Sequence, residues 1–292
     1  MSPETLGQAV VAGLANGAFY AFVSLPFAAM FSLTRALNLA HGELVVLGGY
    51  LGYLGARVLG LPVVVVAPLA ALALVPAGLV GRALIARVRE PVELNSLVLT
   101  FALSLLLQNA MLGVFTSDYR LIATGPGPAG PWPLGLASGR AGAAGLALAT
   151  LLGLHLLLVR TRWGAALRAT SRDPETAQLM GVDTQRLGAW TFALAAGVAG
   201  MAGVFFATFH YLQPTAGVEL TLLAVALAIL GQAWGRAGGI PGLLLGGLLV
   251  GLTESLVIAW AGPRWRELVV AVIVLGALTA RGRALGRLGA HG

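Results

Sequence analysis

The chain has 292 residues, of which 58% are hydrophobic and only 10% charged. Soluble domains carry about 25% charged and about 45–50% apolar residues, so this composition excludes an ordinary soluble protein and points to several membrane spans. The net charge is +7 and its basic residues are all arginines, placed in loops between apolar runs, which fits membrane orientation rather than nucleic-acid binding. There is no cysteine, which excludes disulfides and thiol chemistry, and the four histidines lack metal-site spacing.

A span needs about 20 apolar residues. The first predicted span is 10–33, interrupted by Pro26; it reads as a working span rather than a cleavable signal peptide, because the residues before it lack a basic stretch. RALNLAH (35–41) is a polar hinge at the inner side, followed by a short glycine-rich span at 44–59. Spans at 62–80 and 94–115 flank a polar loop with Arg82, Arg87 and Arg89. GPGPAGPWP marks the passage 116–140 as an irregular loop, since proline and glycine deny it a helix. Spans follow at 141–159, 187–211, 218–234, 240–261 and 267–280, with a glycine break at 235–239. The expected fold is all-α: a polytopic bundle of eight or nine spans forming one transmembrane domain over 1–292. Placing the loop 160–186 inside leaves only Arg57, Arg120, Arg140, Arg264 and Arg266 outside, which sets the N-terminus out and the C-terminus in.

The loop 160–186 is the longest polar passage, and it contains Arg160, Arg162, Arg168, Arg172 and Arg186. It carries the punctuation of a short helix. Asp173 is an N-cap, Pro174 suits the first helical position, Glu175 sits in the positive first turn, and Gly181 is a left-handed stop. Between them lie Ala177, Leu179 and Met180, so the helix has the form of a docking element for a partner.

Within the apolar runs a few polar residues stand out. His41 and Glu43 either cap the helix that follows the hinge or act as a gate or proton site; Asn38 belongs to the same hinge. Glu219 and Glu254 each need a partner or water. Asn16, Tyr20, Gln108 and Asn109 either border a solute path or join helices. Trp132, Trp234, Trp260 and Trp265 fall near span ends, where aromatic belts form.

Three stretches resemble the permease subunits of bacterial ABC importers for branched-chain amino acids. They are GLANGAFYAFVSL with RALNLAHGELVVLGGY (13–25 and 35–50), TRWGAALRATSRDPETAQLMGVD running into FALAAGVAGMAG (161–183 and 192–203), and GGIPGLLLGGLLVGLTES (238–255). The resemblance implies an inner-membrane subunit without catalytic residues or a cofactor of its own, ATP being bound by two partner subunits. It further implies a second permease subunit, a periplasmic substrate-binding protein, a lipid bilayer as surroundings and no nucleic acid. It makes 160–186 the cytoplasmic coupling loop, with Arg168, Asp173, Pro174, Glu175, Ala177, Leu179, Met180 and Gly181 facing the ATPase. It places Asn16, Tyr20, Asn38, His41, Glu43 and Glu254 along the substrate path. Urea or a short amide is an alternative cargo. A proton-coupled carrier using His41, Glu43, Glu219 or Glu254 is the competing mechanism, and no nucleophile–base constellation supports a membrane enzyme.

Overall fold

The computed structural model describes residues 3–34, 36–122, 138–234 and 240–265, with five scattered helical positions after 267. Ten α-helices follow in order: α1 (Pro3–Thr34), α2 (His41–Arg57), α3 (Val63–Ile85), α4 (Val92–Phe115), α5 (Ser138–Arg160), α6 (Arg162–Arg172), α7 (Pro174–Leu179), α8 (Thr184–Phe209), α9 (Ala216–Trp234) and α10 (Ile240–Ala261). Among the described residues there is no β-strand, only an isolated bridge between Arg120 and Leu212.

Among the described residues five helices are long and apolar enough to cross a membrane: α1, α3, α4, α8 and α10. A sixth span arises if α5 and α6, bent by 72° at their junction, are taken as one. The expected eight or nine are therefore not reached among the described residues. Helix α2 has 17 residues, about 26 Å against a hydrocarbon layer of about 30 Å. The described apolar part of α9, Ala216–Gly231, is shorter still. The expected last span, the glycine break 235–239, Trp132 and most of the proline-rich loop lie outside the described residues. Pro26 does not interrupt the first span; α1 runs through it as one helix of 32 residues. Membrane helices tolerate internal proline because neighbouring groups take up the freed carbonyl.

The chain divides into two compact units, 26–222 and a second made of 1–25 with 223–292. In the larger unit α8 is the packing centre. Its run from Leu187 to Thr208 is buried on nearly every side, and its alanines and glycines let α2 and α3 approach. Gly48 of α2 lies on Gly200 of α8, and Gly203 of α8 lies against the Val45 carbonyl of α2. A Cβ on Gly200 would also stand 2.9 Å from the Ala70 carbonyl of α3, so this glycine is wedged between two helices. Arg120 closes one end over the Tyr53 and Phe115 rings, its guanidinium donating to the Phe115 carbonyl at 2.8 Å.

In the smaller unit α1 crosses α10 antiparallel through two glycine pairs spaced by four. Gly13 meets Leu252, and Gly17 meets Leu248 and Gly247. A Cβ on Gly17 would stand 2.6 Å from the Leu248 Cα, closer than real contacts allow. This is small-residue packing between membrane helices, where close backbone approach replaces the hydrophobic effect.

Gly48→Leu should lower the thermal unfolding midpoint in detergent, by an overpacking cost of about 1–3 kcal/mol. Gly113→Ala, at a helical position with open space around it, should raise stability by about 0.5–1 kcal/mol. Equal effects of the two substitutions would contradict the packing described.

Candidate functional site

The polar loop folds as two short helices. Thr161 caps α6, accepting from the Gly164 amide at 3.2 Å. One face of α6 is buried through Gly164, Leu167 and Thr170, and its arginines lie on the other. The sharp turn from α5 is pinned twice: Gly164 sits on the Leu158 backbone, and the Arg168 guanidinium donates to the Leu158 carbonyl. Arg168 thus holds the loop to the end of α5.

Helix α7 takes the expected form. The Asp173 carboxylate accepts from the Glu175 and Thr176 amides at 3.1 and 3.0 Å and from the Thr176 hydroxyl at 2.5 Å. At the other end the Val182 amide donates to Ala177 and the Gly181 amide to Gln178, with Gly181 at φ 87°. That pair of bonds is the Schellman closure, which requires the left-handed conformation glycine adopts freely. Asp183 then caps α8, accepting from the Arg186 amide at 2.9 Å. Ala177, grouped with the docking residues in the sequence, faces inward and anchors the helix. Leu179 and Met180 are 88% and 81% exposed. Six residues capped at both ends thus present two large apolar side chains outward.

The second candidate site lies in the larger unit, where α2 begins. Ser104 of α4 stands near the middle of the apolar stretch Leu94–Phe115, about 15 Å from either end at 1.5 Å per residue. Its hydroxyl donates to Glu43 Oε1 at 3.1 Å. The fully buried Glu43 is therefore at mid-span, and its Oε2 is buried with no hydrogen-bond partner. Thr100, also on α4, accepts from the Leu39 amide at 3.1 Å and faces the Leu37 carbonyl at 3.0 Å. The hinge read as an inner boundary thus runs within the membrane span. It can do so because hydroxyls from other helices serve its backbone groups.

The N-cap of α2 is Ala40, which has no side-chain bond. The Gly42 amide instead donates to the Thr221 hydroxyl of α9 at 2.8 Å. His41 is fully buried edge-on to Phe27, with ring centroids 5.6 Å apart. Asn38 is buried and turns its carbonyl oxygen to the Ala40 amide at 3.1 Å. The hydroxyls of Thr100, Ser104 and Thr221 were missed in the sequence. Their one signal was that they interrupt otherwise apolar helices.

The remaining polar residues separate. In the smaller unit the Tyr20 hydroxyl donates to Glu254 Oε2 at 2.6 Å, both side chains buried. Asn16, one turn before Tyr20 on α1, is half-buried. In the larger unit Glu219 is exposed, and Asn109 is exposed with its amide on the Leu105 carbonyl.

A body of apolar helices packed through glycines, with polar groups at mid-span and a capped amphipathic loop at one end, is the architecture of a membrane transport subunit. A family model for the permease component of the branched-chain amino acid transport system matches residues 9–278, and the chain belongs to that family. It is a multi-pass inner-membrane permease of the ABC importer class. Among its relatives is the high-affinity branched-chain amino acid transport system permease protein LivH of Escherichia coli (strain K12), 27% identical over 96% of this chain and 95% of its own. Another is the corresponding permease protein BraD of Pseudomonas aeruginosa, 26% identical over 90% of this chain and 89% of its own. No solved structure matches the chain.

The Asp173 carboxyl is held below its ordinary value, first by the Thr176 hydroxyl and then by the Thr176 and Glu175 amides. A depressed folded-state value adds stability that is present above the unfolded value and is lost as pH falls through the folded one. Hydrogen-exchange protection of α7, corrected for intrinsic rates, should stay level from neutral pH into the ordinary carboxylate range and fall below it. Asp173→Ala should lower that protection at neutral pH and remove the acid transition. An unchanged profile would show that the cap does not hold the helix.

Proposed function

We propose that the chain is one permease subunit of an importer for branched-chain or other small aliphatic amino acids, driven by ATP hydrolysis in two partner subunits. The observation that carries this reading is the loop helix α7. A six-residue helix closed at both ends, with Leu179 and Met180 exposed at its tip, spends its structure on presenting two apolar side chains. Such side chains on an otherwise polar loop fit an apolar cleft in a soluble partner. Family membership and the names of the relatives support the importer and its amino acid cargo.

On this reading the loop is cytoplasmic, a second permease subunit completes the translocation path, and a periplasmic binding protein delivers the solute. Arg168 and Ala177 position the docking helix, and Leu179 and Met180 make the contact. The mid-span residues Asn38, His41 and Glu43 border the path in the larger unit. In the smaller unit Asn16, Tyr20 and Glu254 are the corresponding polar positions.

Gentle detergent extraction followed by subunit identification by mass tests the assembly. Two ATP-binding polypeptides and a second permease are expected beside this chain. Met180→Arg should sharply reduce recovery of the ATP-binding subunits while leaving the membrane body's melting unchanged. Full recovery with that variant would refute the docking role, and recovery of the wild-type chain alone would refute the importer reading.

A further inference from the structure

Glu43 has no part in the coupling loop, and its chemistry is unusual. Its carboxyl is at mid-span and fully buried, with Oε1 on the Ser104 hydroxyl and Oε2 lacking a partner. Among the described residues no ion pair reaches it; the salt bridge found is Arg186 with Asp183, in the polar loop. From α9 the carboxyl is covered by Gly217, where any Cβ would run into it. From α2 itself the neighbouring titratable group is His41. Gly217 lies in the first turn of α9, and Gly42 in the first turn of α2 packs on the Gly217 carbonyl. Two helix N-termini therefore meet beside one carboxyl, each bearing about half a positive charge.

An apolar cavity of about 190 Å³ adjoins this polar cluster, lined in part by Leu44, Leu47, Leu99, Leu103 and Leu107. Asn38 and Thr100 of the hinge also line it, and Leu44 and Leu103 are the chain neighbours of Glu43 and Ser104, which themselves stand just outside the lining. A dry cavity of about 150 Å³ already holds a benzene-sized guest, so this one has room for a branched aliphatic side chain.

We infer that this is a solute site complementary to a zwitterionic aliphatic amino acid. The ammonium group takes Glu43 Oε2, the solute carboxylate takes the first-turn amides of α9, and the side chain enters the cavity. The charges support the match. A carboxylate at mid-membrane with a single neutral donor is costly, and a cation beside it offsets that cost. The solute carboxylate is in turn balanced by the helix ends, as anions at half-helix N-termini commonly are. The occupied site is close to neutral overall. In the present structure Gly217 covers Oε2, so entry requires the first turn of α9 to withdraw. The inference rests on the amino acid importer reading and adds to it where the membrane subunit itself recognises the cargo.

The test uses the complete importer in liposomes: both permeases, the ATP-binding subunits and the binding protein, with labelled leucine. Glu43→Gln keeps the shape and removes the charge. It should lower leucine uptake roughly tenfold or more, the worth of one charged hydrogen bond, while the subunits still co-purify. Glu43→Asp keeps the charge and should recover part of the uptake. Leu103→Phe narrows the cavity and should raise KM for leucine more than for alanine. Wild-type uptake by Glu43→Gln overturns the inference, and so does equal loss in Glu43→Gln and Glu43→Asp with assembly intact, which marks a purely structural carboxyl. If Glu43→Gln does not assemble, Leu103→Phe decides, and equal KM changes for leucine and alanine overturn the site. A wild-type importer that assembles but takes up no leucine overturns the cargo and the site together. Failure of the subunits to co-purify strikes the importer reading instead.

Discussion

A helix that begins inside a hydrocarbon layer exposes its first amides where no water can reach them, and each unmet amide costs several kcal/mol. Helix α2 begins in that position. Its start is tolerated because other segments supply the missing acceptors: Asn38 offers its carbonyl to His41 at 3.3 Å, and Thr221 offers its hydroxyl to Gly42. Thr100 serves the Leu37–Leu39 turn in the same way. These bonds tie α2, α4 and the second turn of α9 into one polar knot at mid-span. The knot allows Glu43 to be buried there.

Around that knot the packing is made by what is missing from the side chains. Lipid tails are as apolar as leucine, so helices in a membrane gain little by hiding leucine from them and more by close van der Waals contact. Helix α8 is accordingly built of alanine and glycine on its inward faces, with α2 and α3 against it. Bulky residues such as Phe192 and Phe205 fill the remaining interior, while on α4 Val98, Phe101, Leu105 and Leu106 are exposed. In the smaller unit Gly13, Gly17, Gly247 and Gly251 perform the same service for α1 and α10.

How much of this could be read beforehand depended on the distance between partners along the chain. Helix α7 was legible in full, because Asp173, Pro174 and Gly181 act on backbone a few residues away. The apolar runs gave the helices but not their number as spans, since length alone does not say where in the layer a helix starts. The hinge at Asn38–His41 was visible as a break, yet its depth was not. Its partners Thr100 and Thr221 lie 61 and 179 residues away from the amides they serve, and a lone threonine in an apolar run has no local signature. The Tyr20–Glu254 pair, 234 residues apart, was hidden for the same reason. That Ala177 faces inward while Leu179 and Met180 face out was not legible, because alanine is equally at home inside and outside a helix.

The loop and the knot are joined by covalent and packed paths that need no long-range field. Helix α7 ends at Leu179 and closes through Gly181, and Asp183 caps α8 two residues after that glycine, so α7 is attached directly to the end of the central packing helix. On its other side α7 follows α6, which the Arg168–Leu158 bond and the Gly164 contact clamp to α5. Helix α7 is therefore clamped on its α5 side and continuous in sequence with α8 on the other. Gly203 of α8 bears directly on the Val45 carbonyl, two residues from Glu43, with no side chain between them to absorb a movement. Close-packed interiors transmit small displacements rather than damping them. Glycine at that contact therefore does two things at once: it lets α2 and α8 touch, and it makes the start of α2 sensitive to where α8 stands.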